Sequence, residues 1–272
     1  MKVVDDLPGI YWVRSLGEPR DGPGAVSSGA PESASEIFVA VRAAEPSEVA
    51  VRVHAQPGTD RRRTQFEREL ATLAALADDP FVIDLYEVGV TAAGRPYLVM
   101  EFCSAGSLAD HMVHRGRWST ADVRMVGIKI AGALARAQAQ HVLHGNVKPT
   151  NILINDYGEP VLSDFALRVV AAGTSPTSAA ARPYAAPEAF LPELMTPAAD
   201  VFSVGAVLYA LLTGGPPAPA HPDGVVAGEE LPNLAGVPWA FMAVLRRAMA
   251  LDPINRYRNA EELYAALYDS PE

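Results

Sequence analysis

The sequence predicts an α+β chain in two lobes, a β-rich one followed by a larger helical one. Three observations predict it. As far as Phe102 the chain reads mostly as short runs of β-branched and aromatic residues bounded by turn residues. Beyond Cys103 the apolar residues switch to helical spacing. The 272 residues, 49% hydrophobic and 20% charged, are enough for a sizeable core and too apolar for disorder. The lobes are expected over 1–103 and 104–272.

In order, residues 11–16 form the first expected strand. The Gly-, Pro-, Ser- and Ala-rich stretch that follows, about residues 18–36, is a flexible loop by composition. Residues 37–42 and 48–54 flank Ala-Glu-Pro-Ser and predict an antiparallel hairpin. Phe66, Leu70, Leu73 and Leu76 recur at helical intervals within 62–77. Residues 81–90 and 96–102 are again strand-like. Helices are expected over 107–115 and 119–140, the second opening on the N-cap signal Ser119-Thr-Ala-Asp. Residues 151–154 and 160–163 flank the turn Asn-Asp-Tyr-Gly. From Ala199 onward the pattern is mainly helical, interrupted by a Pro-rich stretch at 216–232.

Charge and composition remove several function classes. With 22 Lys and Arg against 32 Asp and Glu, the net charge of −10 argues against a nucleic-acid binder. The longest apolar run, 201–212, falls short of the roughly 18 residues a membrane helix needs. The N-terminus, with Asp5, Asp6 and Pro8, has no signal-peptide core. A single cysteine, Cys103, excludes internal disulfides and Cys-rich zinc sites. A cytoplasmic protein is expected. Lys2, Lys129 and Lys148 are the only lysines, a bias of the GC-rich, actinobacterial kind.

The chemistry-bearing residues lie in ordered motifs. His144-Gly145-Asn146-Val147-Lys148-Pro149-Thr150-Asn151 resembles the catalytic loop, usually His-Arg-Asp-Leu-Lys-Pro-x-Asn, of the eukaryotic-like (Hanks-type) bacterial Ser/Thr protein kinase family. Asp164-Phe165-Ala166 resembles its metal-binding Asp-Phe-Gly, and Ala186-Pro187-Glu188 the end of its activation segment. Asp200 opens what resembles its large central helix. Arg256 stands where the family arginine pairs with the glutamate, here Glu188. Val49-Ala50-Val51-Arg52 matches the strand that carries the nucleotide lysine, and Glu69 the helix glutamate that pairs with it. Met100 falls at the gatekeeper position, with Glu101, Phe102 and Cys103 as hinge. The resemblance covers nearly the whole chain. It implies a bilobal kinase-like fold with a nucleotide cleft, ATP and Mg²⁺ as cofactors, Asn151 and Asp164 as metal ligands, and Ile37, Ala50 and Leu153 around the adenine. It also implies a hydrophobic spine of Leu73, Leu85, Phe165 and His144.

Departures from the family pattern are concentrated on the reaction. Asn146 replaces the aspartate that accepts the substrate proton, and an amide has no usable basicity near neutral pH. Arg52 replaces the strand lysine, keeping charge on a bulkier planar group. Counting back from Ile37, the glycine positions of the phosphate-covering loop fall on Ala30, Glu32 and Ser35, and a carboxylate there repels phosphate. Gly145 stands where an arginine grips a phosphorylated activation loop. Ala181 replaces a threonine near the catalytic pair, and Ala166 the glycine after Phe165. Lys148, Asn151 and Asp164 are retained.

Other features have bland alternatives. Thr174, Ser175, Thr177 and Ser178 are phosphate acceptors or an ordinary loop. Arg61-Arg62-Arg63 is a docking face for an acidic partner or a solvated basic run. His111, His114 and His141 make no convincing metal site with His144. The expectation is therefore a catalytically impaired pseudokinase, a regulatory or scaffolding module with weak or absent Mg-ATP binding. Its partners would be proteins, another kinase or its substrate. The alternatives are a weakly active Ser/Thr kinase and a nucleotide-sensing module without transfer activity.

Overall fold

The computed structural model describes residues 7, 10–15, 36–42, 47–53, 76, 79–165, 182–190, 196–217 and 231–270. The chain divides into two compact units. The smaller comprises Met1–Ala77 and Ile83–Phe102, the larger Asp78–Val82 and Cys103–Glu272.

The small unit is a five-stranded antiparallel sheet in the order β1-β2-β3-β5-β4. Its strands are β1 (Ile10–Ser15), β2 (Glu36–Arg42), β3 (Glu48–Val53), β4 (Leu85–Val90) and β5 (Pro96–Glu101). The expected hairpin is present as β2 and β3, with Val39 opposite Ala50 and Ile37 opposite Arg52. Side chains alternate across a strand, so this register sorts the sheet into two faces. Ala40, Val49, Val51, Val53, Tyr97 and Val99 share one face and bury a core with Leu7 and Ile10, Phe38 packing at its side. The opposite face carries Ile37, Val39, Ala50 and Arg52, continued across β5 by Leu98 and Met100. Tyr97 hydroxyl donates to Glu87 at 2.5 Å, and burial beside that carboxylate pushes its pKa up to about 12.

The strand expected over 81–90 begins only at Leu85. Its first residues do other work. Asp79 accepts from Phe81 N–H at 3.0 Å, and Val82 pairs in parallel with Leu162 of the large unit. The predicted loop 18–36, the helix over 62–77 with Arg61-Arg62-Arg63, Glu69 and Leu73, and the positions Ala30, Glu32 and Ser35 lie outside the described residues, except Glu36 in β2 and Leu76. So do Ala166, Ala181, Thr174, Ser175, Thr177 and Ser178, and most of the Pro-rich stretch 216–232.

The large unit is helical. Helix α1 (Leu108–Arg115) opens on a capping box: Ser107 accepts from Asp110 N–H while the Asp110 carboxylate accepts from Ser107 N–H. Helix α2 (Thr120–Ala139) is capped by Ser119, which accepts from Asp122 N–H at 3.1 Å, as the sequence signal predicts. β6 (Ile152–Ile154) and β7 (Pro160–Leu162) pair across the Asn-Asp-Tyr-Gly turn, where Asn155 Oδ1 accepts from Tyr157 and Glu159 N–H. Helix α3 (Pro197–Thr213) starts two residues before the expected Ala199, because Pro197 fits the first helical turn after Thr196. From Ala198 to Leu212 every α3 residue is buried, making it the central helix. Around it lie α2, α4 (Trp239–Ala248) and α5 (Ala260–Asp269). No helix among the described residues is long and apolar enough to cross a membrane.

Candidate functional site

The catalytic-loop residues follow the end of α2. There the helix unwinds, with Val142 N–H returning to Ala137 O at 3.0 Å and His141 in the left-handed region. Val142 and Val147 are buried anchors on either side of the chemistry-bearing stretch. Pro149–Asn151 then closes a 3-10 turn, Asn151 N–H donating to Lys148 O at 2.9 Å.

His144 organises this loop. It is 1% exposed, its Nε2 lies 2.9 Å from Ser163 O, and its Nδ1 accepts from Asn146 N–H at 3.2 Å. A carbonyl can only accept, so Nε2 carries the proton and Nδ1 does not. That is the neutral ring, and burial holds it there by pushing the imidazole below its ordinary value. The backbone N–H groups of His144 and Gly145 donate to the two oxygens of buried Asp200, at 3.0 and 2.7 Å. One carboxylate from α3 thus fixes two consecutive peptides of the loop. Gly145 has φ +67°, a conformation a glycine adopts without strain.

The two predicted metal ligands are joined through Ser163. Ser163 N–H and Oγ–H both donate to Asn151 O, at 2.9 and 3.1 Å. Asn151 is buried, and its Nδ2 donates to Asn146 O at 2.9 Å. The amide oxygen accepts only a long bond from the Thr150 hydroxyl, at 3.4 Å, and has a second lone pair for a cation. Asp164 is half-buried in the left-handed region at φ +65°, which aspartate tolerates better than most residues. The Phe165 ring lies 4.6 Å from that of His144. Asn146, Lys148, Asn151, Asp164, His144 and Phe165 are therefore parts of one stitched loop cluster on the large unit. Leu153 is half-buried in β6, pairing with Val161.

A second predicted pair is formed. Arg256 places its two terminal guanidinium nitrogens, Nη1 and Nη2, on Glu188, at 2.5 and 3.0 Å. It also donates to Ala250, Ala198 and Leu251 carbonyls and lies over the Phe202 ring at 4.9 Å. This fixes the end of the Ala-Pro-Glu segment to the core of the unit.

On the small unit, Ile37, Ala50, Arg52 and Met100 share one sheet face, and Leu85 pairs with Met100 at its edge. Glu101 is half-buried at the end of β5, and buried Cys103 is the first residue of the large unit beyond it. Two residues were not singled out from the sequence. Ser163 carried no signal beyond its place before Asp164. Gln138 donates to Pro197 O at 3.4 Å and accepts from Ala260 N–H at 2.9 Å, bridging α2 to the starts of α3 and α5.

A family profile described as "Protein kinase domain" matches residues 32–252. The chain is 33% identical over 246 residues to serine/threonine-protein kinase PknK of Mycobacterium tuberculosis (H37Rv), covering 85% of this chain and 22% of that protein. It is 32% identical over 222 residues to PknL of the same organism, covering 77% and 55%. The chain thus spans about a fifth of the length of the PknK protein it matches. In fold it is similar to the crystal structure of the M. tuberculosis PknI kinase domain, with TM-score 0.73, 22% identity and full coverage of both chains.

Proposed function

The chain belongs to the protein kinase family, and from that premise we propose that it is a catalytically impaired member, a pseudokinase acting as a regulatory or scaffolding module toward protein partners. Asn146 carries the reading. It stands in the loop position of the family's proton-accepting aspartate, and general-base catalysis contributes about 10²–10⁴ in rate. Arg52 in place of lysine on β3 adds to it, because a guanidinium does not substitute for a compact ammonium.

Family members use Mg-ATP, and the large unit's donors fit a metal in one way. Asp164 offers a carboxylate and Asn151 an amide oxygen, both hard donors of the kind Mg²⁺ takes alongside substrate phosphates. Among the described residues no group of three His, Cys, Asp or Glu side chains is placed to hold a metal ion. When bound, the metal would neutralise phosphate charge. Lys148 adds a cation, and Asn146 can orient a hydroxyl through its amide without taking the proton.

Labelled-phosphate transfer from Mg-ATP to a mixed Ser/Thr peptide pool tests the proposal. Wild type is expected to match the Asp164→Asn variant, and transfer well above that control overturns the pseudokinase reading in favour of a weak kinase. Asn146→Asp, which restores the base, is expected to raise transfer above wild type. Nucleotide binding is read separately by thermal shift. Mg²⁺ alone is expected to leave the melting temperature unchanged, and any stabilisation is expected only with Mg-ATP.

A further inference from the structure

Asn151 and Asp164, the two donors offered to a cation above, stand at the open end of one hairpin. β6 and β7 pair antiparallel, with Ile152 opposite Leu162. One step further, Ser163 N–H donates to Asn151 O at 2.9 Å and extends the ladder. Asp164 follows at once and leaves it, turning into the left-handed region at φ +65°. Ser163 is therefore the last residue that holds the arm bearing the carboxylate against the arm bearing the amide.

It does so with every polar atom it has. Its carbonyl accepts from His144 Nε2 at 2.9 Å, and its hydroxyl donates to Asn151 O at 3.1 Å beside its own N–H. A carbonyl has two lone pairs, so Asn151 O takes both donors without competition. Ser163 is 3% and Asn151 4% exposed, and a hydrogen bond shielded from water is electrostatically stronger than one in it. Any residue but proline would supply the backbone bond. The hydroxyl bond is the part that serine adds. Asn151 is pinned elsewhere too, its N–H on Lys148 O and its Nδ2 on Asn146 O, both at 2.9 Å. Held at its N–H, carbonyl and amide nitrogen, it has the direction of its amide oxygen set.

We propose that Ser163 is a positioning residue for the divalent cation, its hydroxyl fixing Asn151 against the Asp164 arm and so the spacing of amide oxygen and carboxylate. This rests on the donor assignment made above and requires no phosphoryl transfer. The consequence is selective between cations. Mg²⁺ demands near-ideal octahedral geometry at about 2.0–2.1 Å, whereas Ca²⁺ accepts irregular shells at about 2.3–2.6 Å. A loosened spacing therefore penalises Mg²⁺ more than Ca²⁺.

Thermal shift of the full chain at millimolar ATP, titrated with MgCl₂ or with CaCl₂, tests it. The quantity read is the cation concentration that gives half of the stabilisation. Ser163→Ala is expected to raise the Mg²⁺ midpoint about tenfold and the Ca²⁺ midpoint about twofold or less. Ser163→Cys, which keeps the volume with a weak donor, is expected to follow alanine, and Ser163→Thr, which keeps the hydroxyl, to follow wild type. Ser203→Ala is the matched control: buried Ser203 donates its hydroxyl to Ala199 O at the same 3.1 Å, away from the cation donors. It is expected to lower the melting temperature as much as Ser163→Ala and to move neither midpoint. Equal rises for the two cations, equal losses in Ser163→Thr and Ser163→Ala, a rise in Ser203→Ala, or no cation-dependent stabilisation of wild type overturns the proposal. Asp164→Asn in the same titration reports the donor assignment itself. Cation dependence lost there with Ser163→Ala unmoved removes the positioning role alone, and unchanged midpoints there remove the donor assignment with it. Phosphate transfer above the Asp164→Asn control would overturn the pseudokinase reading and leave the midpoints standing.

Discussion

A neutral imidazole at the centre of the loop ties stability to pH. His144 is held below the ordinary imidazole value chiefly by burial, against the opposing pull of Asp200 and Asp164. As pH falls through about 6.5, the unfolded chain takes up a proton that the folded chain refuses. The unfolded state then binds more protons, so stability is full above that value and lost below it, by up to about 1.4 kcal/mol per pH unit from this group. The urea midpoint is expected to drop between pH 7 and pH 5, and less in His144→Gln, whose amide can still donate to Ser163 O. Equal drops would remove His144 as the cause. The Arg256–Glu188 pair sets a second test, since the arginine side chain is fully buried and the glutamate 10% exposed. Arg256→Ala leaves Glu188 buried and unpaired, and a loss of about 3–5 kcal/mol by urea titration is expected. Both residues were legible in the sequence through their motifs. What they bind was not. The tautomer of His144 depends on Ser163 and Asn146, and the loop peptides on Asp200, which is 55 residues from Gly145 in sequence.

Three helical glycines separate close packing from intrinsic helix preference. A Cβ at Gly205 of α3 would lie 2.8 Å from Met249 Cγ and 3.0 Å from Ala248 Cβ, the second a group with no rotamer to change. Gly205→Ala is expected to cost about 1–3 kcal/mol through overpacking. At Gly132 of α2 the nearest atoms, on Arg136 and Tyr264, lie at 3.5 Å, ordinary contact. Gly132→Ala is therefore expected to stabilise by about 0.5–1 kcal/mol, the helix preference of alanine over glycine. Gly127, facing the ends of Leu208 and Leu267 at 2.7 and 3.0 Å, belongs between them. Thermal melts of the three variants check the order. Elements set by local signals were legible. The β2–β3 hairpin follows from alternation and turn residues, and α2 begins where its serine cap predicts. Phe81 and Val82 misled because their backbone pairs with Leu162, which no local pattern reveals.

At the scale of the molecule, the segment Asp78–Val82 belongs to the large unit although the sequence on both its sides belongs to the small one. Leu162 N–H donates to Phe81 O at 2.8 Å, and Arg136 forks onto Asp79, its Nη2 at 2.8 Å from Oδ1. Lys129, itself paired with Glu159, lies over the Phe81 ring at 5.7 Å. The Asp79 side chain is 3% exposed, so Asp79→Ala releases a buried hydrogen-bonded carboxylate and leaves Arg136 without this partner. Faster hydrogen exchange at the Leu162 amide is expected, with a stability loss of about 1–3 kcal/mol. Unchanged exchange would show that the backbone bond holds the segment alone. The two-lobed α+β class was legible from composition and motif order, since β-rich and helical stretches are local properties. The assignment of these five residues was not, because their partners Arg136 and Leu162 lie far along the chain.

That arrangement imposes an order on biosynthesis. Val82 leaves the ribosome about 80 residues before its partner Leu162, an interval of about 4–16 s at ordinary elongation rates. During that interval the β4 and β5 strands on the C-terminal side of the segment can complete the small sheet. The nascent chain would then carry a tethered sheet with a short apolar stretch, Phe81 and Val82, awaiting a strand not yet made. Chaperone demand on this protein should accordingly peak while the residues between Cys103 and Leu162 are being translated, and fall once β7 has emerged.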